Sequence, residues 1–330
     1  MRLTNAGASI GGLTLVIVLA GCGGGGGAPA QSTTQPAGGS TSIKVGIIPT
    51  AEFMPVYIAQ DQGLFKEEGL EVEVSTVASA AAIVPSVLNG QLDFGAAATA
   101  PFLIANDKNL PIKAVAANAG VAPSSSGVSA SILVLSDSSI KAPADLEGKK
   151  LAVNALGSLS HVAASAVVSA AGGDPKQVQF IAMPFPDESA ALRQKRVDAI
   201  ATSEPFLTQD LTAGGVRAIA PLYADTYPTG TTYSLMFASQ KLIGSNPDLV
   251  NRFQRVIKRV NTQVNANPEL VRAALVKYGK LPPNVAEKVN LPLYATDFDV
   301  AGVQKMADLM LQDGFISKKA DAQSVSYQGS

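Results

Sequence analysis

The segments SVLNGQLDFGAAATAPFL (residues 86–103) and AALRQKRVDAIATSEPFL (residues 190–207) repeat one pattern within the chain. Each runs from the end of a helix-like stretch through an apolar run to Pro-Phe-Leu, and the spacing from the helical Leu to the Pro is the same in both copies. The pattern predicts a helix, a buried strand and a tight turn into a second helix. In a parallel α/β sheet such turns lie at the carboxyl ends of the strands, where ligands bind. The repeat therefore predicts two sheets that present matching helix N-termini to one cleft.

The chain on both sides of the repeat alternates short β-rich runs with helical stretches. Runs dominated by Val, Ile and Ala predict strands, and amphipathic runs that start at Pro or end at Gly predict helices. The predicted strands are 43–48, 70–77, 92–98, 112–118, 149–154, 178–183, 197–203, 216–222 and 234–239. The predicted helices are 55–69, 81–90, 100–107, 158–173, 187–196, 204–215, a helical region over 246–279, and 300–314.

This order predicts an α/β protein with two lobes, each a mostly parallel sheet flanked by helices. Gly, Ser and Pro are concentrated at 119–130 and 224–233, which suits two crossings of a hinge. Leu249, Phe253, Ile257 and Val260 recur at helical spacing, so we expect the C-terminal helices to pack around the first lobe. The predicted domains are a first lobe of residues 43–125 and 234–330 and a second lobe of residues 126–233.

The N-terminus has the pattern of an export signal. Arg2 is followed by an apolar stretch, Leu13 to Ala20, which is shorter than the roughly 20 residues that span a bilayer. Leu-Ala-Gly-Cys at 19–22 matches a bacterial lipobox, and Cys22 is the only cysteine of the chain. We therefore predict a lipoprotein signal peptide over 1–21, a lipid on Cys22 and a flexible Gly/Ser/Thr/Pro tether over 22–42. The protein would be exported and held at the outer face of the membrane, or in the periplasm, by its lipid.

Composition excludes several classes of function. The chain has 330 residues, of which 47% are apolar and 15% charged, with a net charge of −1, as expected for a globular body with a substantial core. It has neither a basic patch nor the aromatic residues that stack on bases, so we expect no nucleic-acid partner.

Four ordered pieces of the chain resemble one family. They are PVYIAQDQGLFKEEGLEVEV (55–74), VLNGQLDFGAAATAP (87–101), ADLEGKKLAVNALGS (144–158) and VDAIATSEPF (197–206). Together with the lipobox they resemble the solute-binding proteins of ABC importers, in the branch that handles alkanesulfonates, nitrate, taurine and thiamine-type pyrimidines. The resemblance implies a type II periplasmic binding protein: a monomer without a cofactor that closes on a solute between its lobes and docks on a permease with its ATPase.

The same resemblance implies which residues line the cleft. They follow the strands in each lobe, with one near the second hinge: Phe53, Met54, Ala78, Ser79, Ala98, Thr99, Gly157, Ser158, Ser160, Pro186, Ser203, Glu204 and Tyr233.

Three of these positions have a chemical meaning of their own. Gly157 and Ser158 open a helix, whose free N–H groups and dipole favour an anion, although Ser is also an ordinary N-cap. Glu204 stands at a helix start, either as part of the cap or as the acceptor for an ammonium or hydroxyl of the solute. An anion at one helix and an amine near Glu204 would fit a taurine-like zwitterion. Trp is absent from the chain, so a pyrimidine could stack only on other rings such as Phe53, Phe185 and Tyr233. No Lys or Arg falls on these positions, which argues against a compact inorganic anion held by charge alone.

The sequence argues against an enzyme. His161 is the only histidine and could cap, pack or touch a ligand, and with one Cys no His/Cys metal site or cysteine nucleophile can be assembled. No phosphate-binding loop and no Gly-x-Ser-x-Gly motif is present. The alternatives left open are a pyrimidine-precursor binding protein, a receptor that feeds a sensor, and the pyrimidine-synthesising enzyme of the same fold, which uses a cysteine cluster that this chain lacks.

Overall fold

The computed structural model describes residues 40–77, 80–123 and 128–329, and these form two five-stranded sheets flanked by helices. The first sheet has the order β2-β1-β3-β10-β4 and the second the order β7-β6-β8-β5-β9. The first contains β1 (Thr41–Ile47), β2 (Leu70–Thr76), β3 (Phe94–Ala98), β4 (Ile112–Gly120) and β10 (Thr232–Ser239). The second contains β5 (Ala130–Leu135), β6 (Lys150–Val153), β7 (Gln179–Ala182), β8 (Ala199–Ser203) and β9 (Val216–Pro221).

Helices follow most of the strands, and a run of helices closes the chain. The helices are α1 (Met54–Asp61), α2 (Leu64–Glu67), α3 (Ala80–Leu88), α4 (Thr99–Asp107), α5 (Leu159–Ala170), α6 (Phe185–Arg193), α7 (Phe206–Ala213), α8 (Gln240–Ser245), α9 (Pro247–Ala266), α10 (Glu269–Lys277), α11 (Pro283–Ala286) and α12 (Val300–Gln312). None of the helices described is both long and apolar enough to cross a lipid bilayer.

The predicted fold class is confirmed, with one antiparallel strand inside each sheet. β10 pairs antiparallel with β3 and β4, and β5 pairs antiparallel with β8 and β9, while the remaining pairs are parallel. The chain therefore crosses between the sheets twice, once from β4 to β5 and once from β9 to β10. Since β10 starts at Thr232, the first sheet begins again inside the segment 224–233 that we expected to be the crossing.

One prediction about a single element was wrong, and one strand was missed. The chain over 55–69 forms two helices, because Gly63 takes a left-handed conformation with a φ of 75° between α1 and α2, which interrupts the helical ladder. Strand β5 was not predicted at all.

Both copies of the repeat share a hydrogen-bonded aspartate. The carboxylate of Asp93 accepts from the backbone N–H of Lys44, and that of Asp198 accepts from the backbone N–H of Lys150, each at 2.8 Å. Each aspartate thus ties the start of its strand to the parallel strand beside it, at Lys44 within β1 in the first sheet and at Lys150, the first residue of β6, in the second. The two copies are therefore the same structural unit, as the repeat predicts.

The C-terminal helices pack on two different cores. Helix α9 buries Leu249, Phe253, Ile257 and Val260 in the core of the first sheet, as expected. Helix α12 instead buries Val303, Met306, Ala307 and Met310 in a second cluster, which it shares with α4, α5 and the second sheet. Its main contacts with other elements are with α4 and β10, both of which belong to the predicted first lobe.

Candidate functional site

A cavity opens between the carboxyl ends of the two sheets, where the strand-to-helix turns of both meet. The empty space at this place is about 580 Å³ when the open solvent at its mouth is included. The lining residues come from the turns after β1, β6, β7 and β9 and from the ends of β3 and β8. They are Ile48, Thr50, Glu52, Phe53, Ala98, Pro101, Asn154, Ala155, Leu156, Gly157, Ser158, Leu159, Ser160, Phe185, Ser203 and Tyr223.

The wall from the first sheet carries the charge of the cavity. Glu52, in the short 3-10 helix that follows β1, is the only charged side chain among the described residues that line the cavity. The amide of Asn118 donates to the backbone carbonyl of Glu52 at 2.6 Å and fixes this turn. Burial raises the pKa of Glu52 to about 7. The carboxyl group therefore changes its charge near neutral pH.

Three tyrosines surround this carboxyl group. Tyr223 lines the cavity, and the ring of Tyr233 packs behind it with 5.1 Å between the centroids. Tyr294 donates its hydroxyl to the carbonyl of Ala51 at 3.0 Å. Burial and, to a smaller extent, the Glu52 carboxylate raise the pKa of Tyr223 to about 12 and the pKa values of Tyr233 and Tyr294 well above the ordinary range. All three phenols are thus neutral at physiological pH.

The start of α5 forms part of the opposite wall. The hydroxyl of Ser158 accepts from the backbone N–H of His161 at 3.2 Å as an N-cap, and Nδ1 of His161 accepts from the backbone N–H of Gly157 at 2.9 Å. Two donors of this turn are therefore used inside the protein. The N–H groups of Leu159 and Ser160, in the first helical turn, have no intrahelical acceptor and border the cavity.

His161 does not line the cavity and has a structural role in this turn. Its ring packs between Phe180 and Phe315, at centroid distances of 4.2 and 5.0 Å. Burial lowers the pKa of His161 to about 4, so the ring is neutral and Nδ1 can accept the Gly157 N–H. This geometry agrees with packing and capping rather than with general-base chemistry.

Glu204 lies away from the cavity wall with its carboxylate occupied. It accepts hydrogen bonds from the hydroxyl and backbone N–H of Thr208 and from the backbone N–H of Asn290. Its side chain is 2% exposed, and burial raises the pKa of Glu204 to about 7 although these hydrogen bonds oppose the shift. The charge that we expected Glu204 to bring to the cleft is supplied by Glu52.

The cavity gathers six of the predicted residues, and the others lie elsewhere. Thr99 is buried and donates its hydroxyl to the carbonyl of Thr232, while Pro186 is exposed in α6 and its neighbour Phe185 faces the cavity. On the wall are Phe53, Ala98, Gly157, Ser158, Ser160 and Ser203. Off the wall are Met54, Thr99, Pro186, Glu204 and Tyr233. Ala78, Ser79 and Cys22, with the signal peptide and the tether up to residue 39, lie outside the described residues.

Sequence reasoning missed Thr50, Glu52 and Tyr223. Thr50 and Glu52 stand in TAEFMP after the first strand, three residues and one residue before the predicted Phe53. An acidic residue in a strand-to-helix turn was therefore the available signal. Tyr223 follows the strand β9, which was predicted without a ligand role. Among the residues that the structure describes, no group of three His, Cys, Asp or Glu side chains could hold a metal ion.

Comparisons with known proteins agree on one family and one fold. The NMT1/THI5-like family model matches residues 50–270. A protein of Brucella abortus is named as a binding protein without a stated ligand. It is 27% identical over 270 residues, which cover 80% of this chain and 79% of the Brucella protein. The riboflavin-binding protein RibY of Chloroflexus aurantiacus is 26% identical over 249 residues, 73% of this chain and 67% of RibY.

A solved structure shows the same fold. The alkanesulfonate-binding protein SsuA of Xanthomonas axonopodis pv. citri, bound to MOPS, aligns with a TM-score of 0.75 and 19% identity, over 88% of this chain and 99% of SsuA. At this identity the likeness concerns the fold, in which two α/β lobes enclose a cleft.

Proposed function

Since this chain belongs to the NMT1/THI5-like family, we propose that it is the extracytoplasmic solute-binding protein of an ABC importer. It would act as a monomer that holds a small organic solute between its sheets and delivers it to a permease with its ATPase. The observation that carries the proposal is the cavity between the carboxyl ends of both sheets, lined by turns from each. A ligand there contacts both halves of the protein, so binding and closure are coupled.

The location follows from the N-terminal pattern. Leu19 to Cys22 form the lipobox, and Cys22 is the only thiol of the chain. We propose that a lipid on Cys22 holds the protein at the outer face of the membrane, with the Gly/Ser/Thr/Pro-rich segment before β1 as a tether. Mass spectrometry of the mature protein tests this, because its N-terminal peptide should start at an acylated Cys22. A mature protein that starts at another residue would contradict the proposed lipid anchor.

The solute class expected from the sequence is a sulfonate or a taurine-like compound. The free N–H groups at the start of α5 support an anionic group at that end of the cavity. A taurine-like zwitterion would place its amine at Glu52, the charged residue on the opposite wall. A simple inorganic anion is disfavoured, because none of the described lining residues is Lys or Arg.

A ligand-binding screen with a blocked cavity tests the proposal. Differential scanning fluorimetry over sulfonates, amino acids, pyrimidines, flavins and nitrate should give at least one ligand that raises the Tm, because a ligand of the native state stabilises by mass action. The variant Ala155→Trp fills the cavity from its half-exposed rim and should lose that shift, whereas Ala301→Trp, on the exposed start of α12, should keep it. A ligand that binds both variants equally well would place the site elsewhere.

The alternatives differ in what happens after binding. A pyrimidine-precursor binding protein would select aminopyrimidines in the same screen. A receptor for a sensor would bind a sensor domain rather than stimulate transport by a reconstituted permease. An enzyme would convert the ligand, and mass spectrometry of the incubated ligand detects this; the single cysteine of the chain argues against the cysteine-dependent synthase of this fold.

A further inference from the structure

The carboxyl group of Glu52 has no charged partner in the described chain. Other acidic side chains of the protein pair with cations, such as Glu68 with Arg255 at 2.7 Å and Asp61 with Lys277 at 2.8 Å. No such ion pair joins Glu52 to a Lys, Arg or His among the described residues. A half-buried carboxylate that borders a cavity is thus left without compensation by the protein.

The groups that face Glu52 from neighbouring elements are all neutral. They are Thr50 on its own turn, Asn118 of β4, Tyr223 after β9, Tyr233 of β10 and Tyr294 before α12. The phenol pKa values are raised, so none of these tyrosines adds a charge. The electrostatic potential at this end of the cavity is therefore negative whenever Glu52 is ionised.

The rest of the wall suits an organic cation. Phe53, Phe185 and Tyr223 bring aromatic rings to the cavity, and aromatic faces attract ammonium and guanidinium groups. An anion without an amine would be repelled by Glu52, and at the start of α5 it would find the N–H groups of Leu159 and Ser160 but not that of Gly157, which donates to His161.

We propose that the cavity selects a small organic solute that carries a protonated nitrogen, with Glu52 as the residue that determines this specificity. The solute is an ammonium or amidinium cation, or a zwitterion that contains one, on an aliphatic or aromatic body. The inference rests on the proposed solute-binding function and restricts the solute class: a sulfonate without an amine is a poor ligand.

Cation binding should also be coupled to a proton. The pKa of Glu52 is raised to about 7 by burial in the free protein, and a cation beside the carboxylate lowers it. Binding of the cation therefore releases a proton near and below neutral pH, and the affinity rises as the pH increases through about 7. Glu52→Gln removes this proton release.

The test uses probes that share one body and differ in charge. The first series is benzylamine, benzyl alcohol and phenylmethanesulfonate, and the second is taurine and ethanesulfonate. Each probe is titrated by calorimetry against the full mature chain, against Glu52→Gln and against the exposed control Glu287→Gln. We expect the amine members to bind at least tenfold more tightly than their sulfonate or neutral counterparts. We expect Glu52→Gln to lose that preference and Glu287→Gln to retain it.

Three outcomes overturn the inference. They are tighter binding of the plain sulfonates, no amine binding at millimolar concentration, and an amine preference that survives in Glu52→Gln. Ala155→Trp separates this failure from failure of the proposed function. If Ala155→Trp abolishes the binding of a probe that the wild type binds, the cavity is the solute site and only the proposed charge class is wrong. If every probe that binds the wild type also binds Ala155→Trp, the proposed function fails as well. Circular dichroism and Tm establish that Glu52→Gln is folded.

Discussion

The carboxylate of Glu204 accepts a hydrogen bond from the backbone N–H of Asn290 at 3.0 Å. Glu204 stands at the turn between β8 of the second sheet and α7. Asn290 lies in a segment that runs beside the first sheet, because the carbonyl of Leu293 in this segment accepts a hydrogen bond from the N–H of Gly120 in β4. The amide of Asn290 also donates to the carbonyl of Val128. This pair therefore joins the two halves of the protein beyond the wall of the cavity.

Removing the Glu204 carboxylate should weaken this junction. In Glu204→Ala the backbone N–H groups of Asn290 and Thr208 lose their acceptor, which costs about 1–3 kcal/mol when the donors stay buried. Urea unfolding at pH 4.5 measures the loss, because the raised pKa of Glu204 keeps the buried carboxyl group protonated there and its charge adds no cost. Thr208→Val serves as the comparison, because it removes one donor but leaves the Asn290 contact, and it should cost less. Equal free energies of unfolding for Glu204→Ala and the wild type would show that the hydrogen bonds of Glu204 add no stability.

Glu188 should make the protein less stable as the pH rises. Its side chain in α6 is 0% exposed, and neither carboxylate oxygen has a hydrogen-bond partner in the described chain. Burial, with a smaller effect of Asp210, raises the pKa of Glu188 well above 4.5. The native state thus holds a proton that the unfolded chain gives up, and stability falls as the pH rises above the unfolded value toward the native one.

Glu188→Gln removes that dependence. Its free energy of unfolding, measured in urea from acid to neutral pH, should match the wild type at low pH and exceed it increasingly above pH 4.5. Glu204 and Glu52 titrate in both proteins, so the difference between the curves isolates Glu188. Curves that run parallel over the whole range would rule out the raised pKa.

The sequence predicts what depends on local pattern and misses what depends on distant contacts. The repeated strand-to-helix unit, with Asp93 and Asp198 in equivalent hydrogen bonds, follows from residues close in the chain. Strand β5 was missed because it becomes a strand by pairing antiparallel with β8 and β9, which lie far away in sequence. Likewise, the sequence around Glu204 suggests a ligand residue, whereas in the structure its carboxylate accepts a hydrogen bond from the N–H of Asn290, 86 positions away.

The single histidine gives a direct test of the turn at the start of α5. Burial lowers the pKa of His161 from 6.5 to about 4, so its imidazole should stay neutral at pH 5, and its NMR signals should not shift between pH 8 and pH 5. A lowered histidine pKa means that the unfolded chain binds the extra proton first, so stability is lost as the pH falls from 6.5 toward 4. Because the chain has one histidine, the signals need no assignment. A midpoint near 6.5 would contradict the packing of His161 between Phe180 and Phe315.

Gly95 and Gly244 should respond in opposite directions to the same substitution. A Cβ atom at Gly95, in β3 of the repeat, would lie 2.6 Å from Cζ of Phe237 and would also clash with Ile83. Both neighbours are buried in the core and cannot move freely, so Gly95→Ala should cost about 1–3 kcal/mol. At Gly244, in α8, a Cβ meets nothing within 4 Å. Gly244→Ala should stabilise the protein by about 0.5–1 kcal/mol, because alanine loses less backbone entropy in a helix.

Chemical denaturation of the two variants beside the wild type measures both effects. The pair controls for the general consequence of adding one methyl group. Since Phe237 belongs to β10 and Ile83 to α3, a loss confined to Gly95→Ala would reflect the close packing of β3 between the antiparallel strand β10 and the helix of the first repeat copy. If Gly95→Ala were as stable as the wild type, that packing would have to be looser than the distances imply.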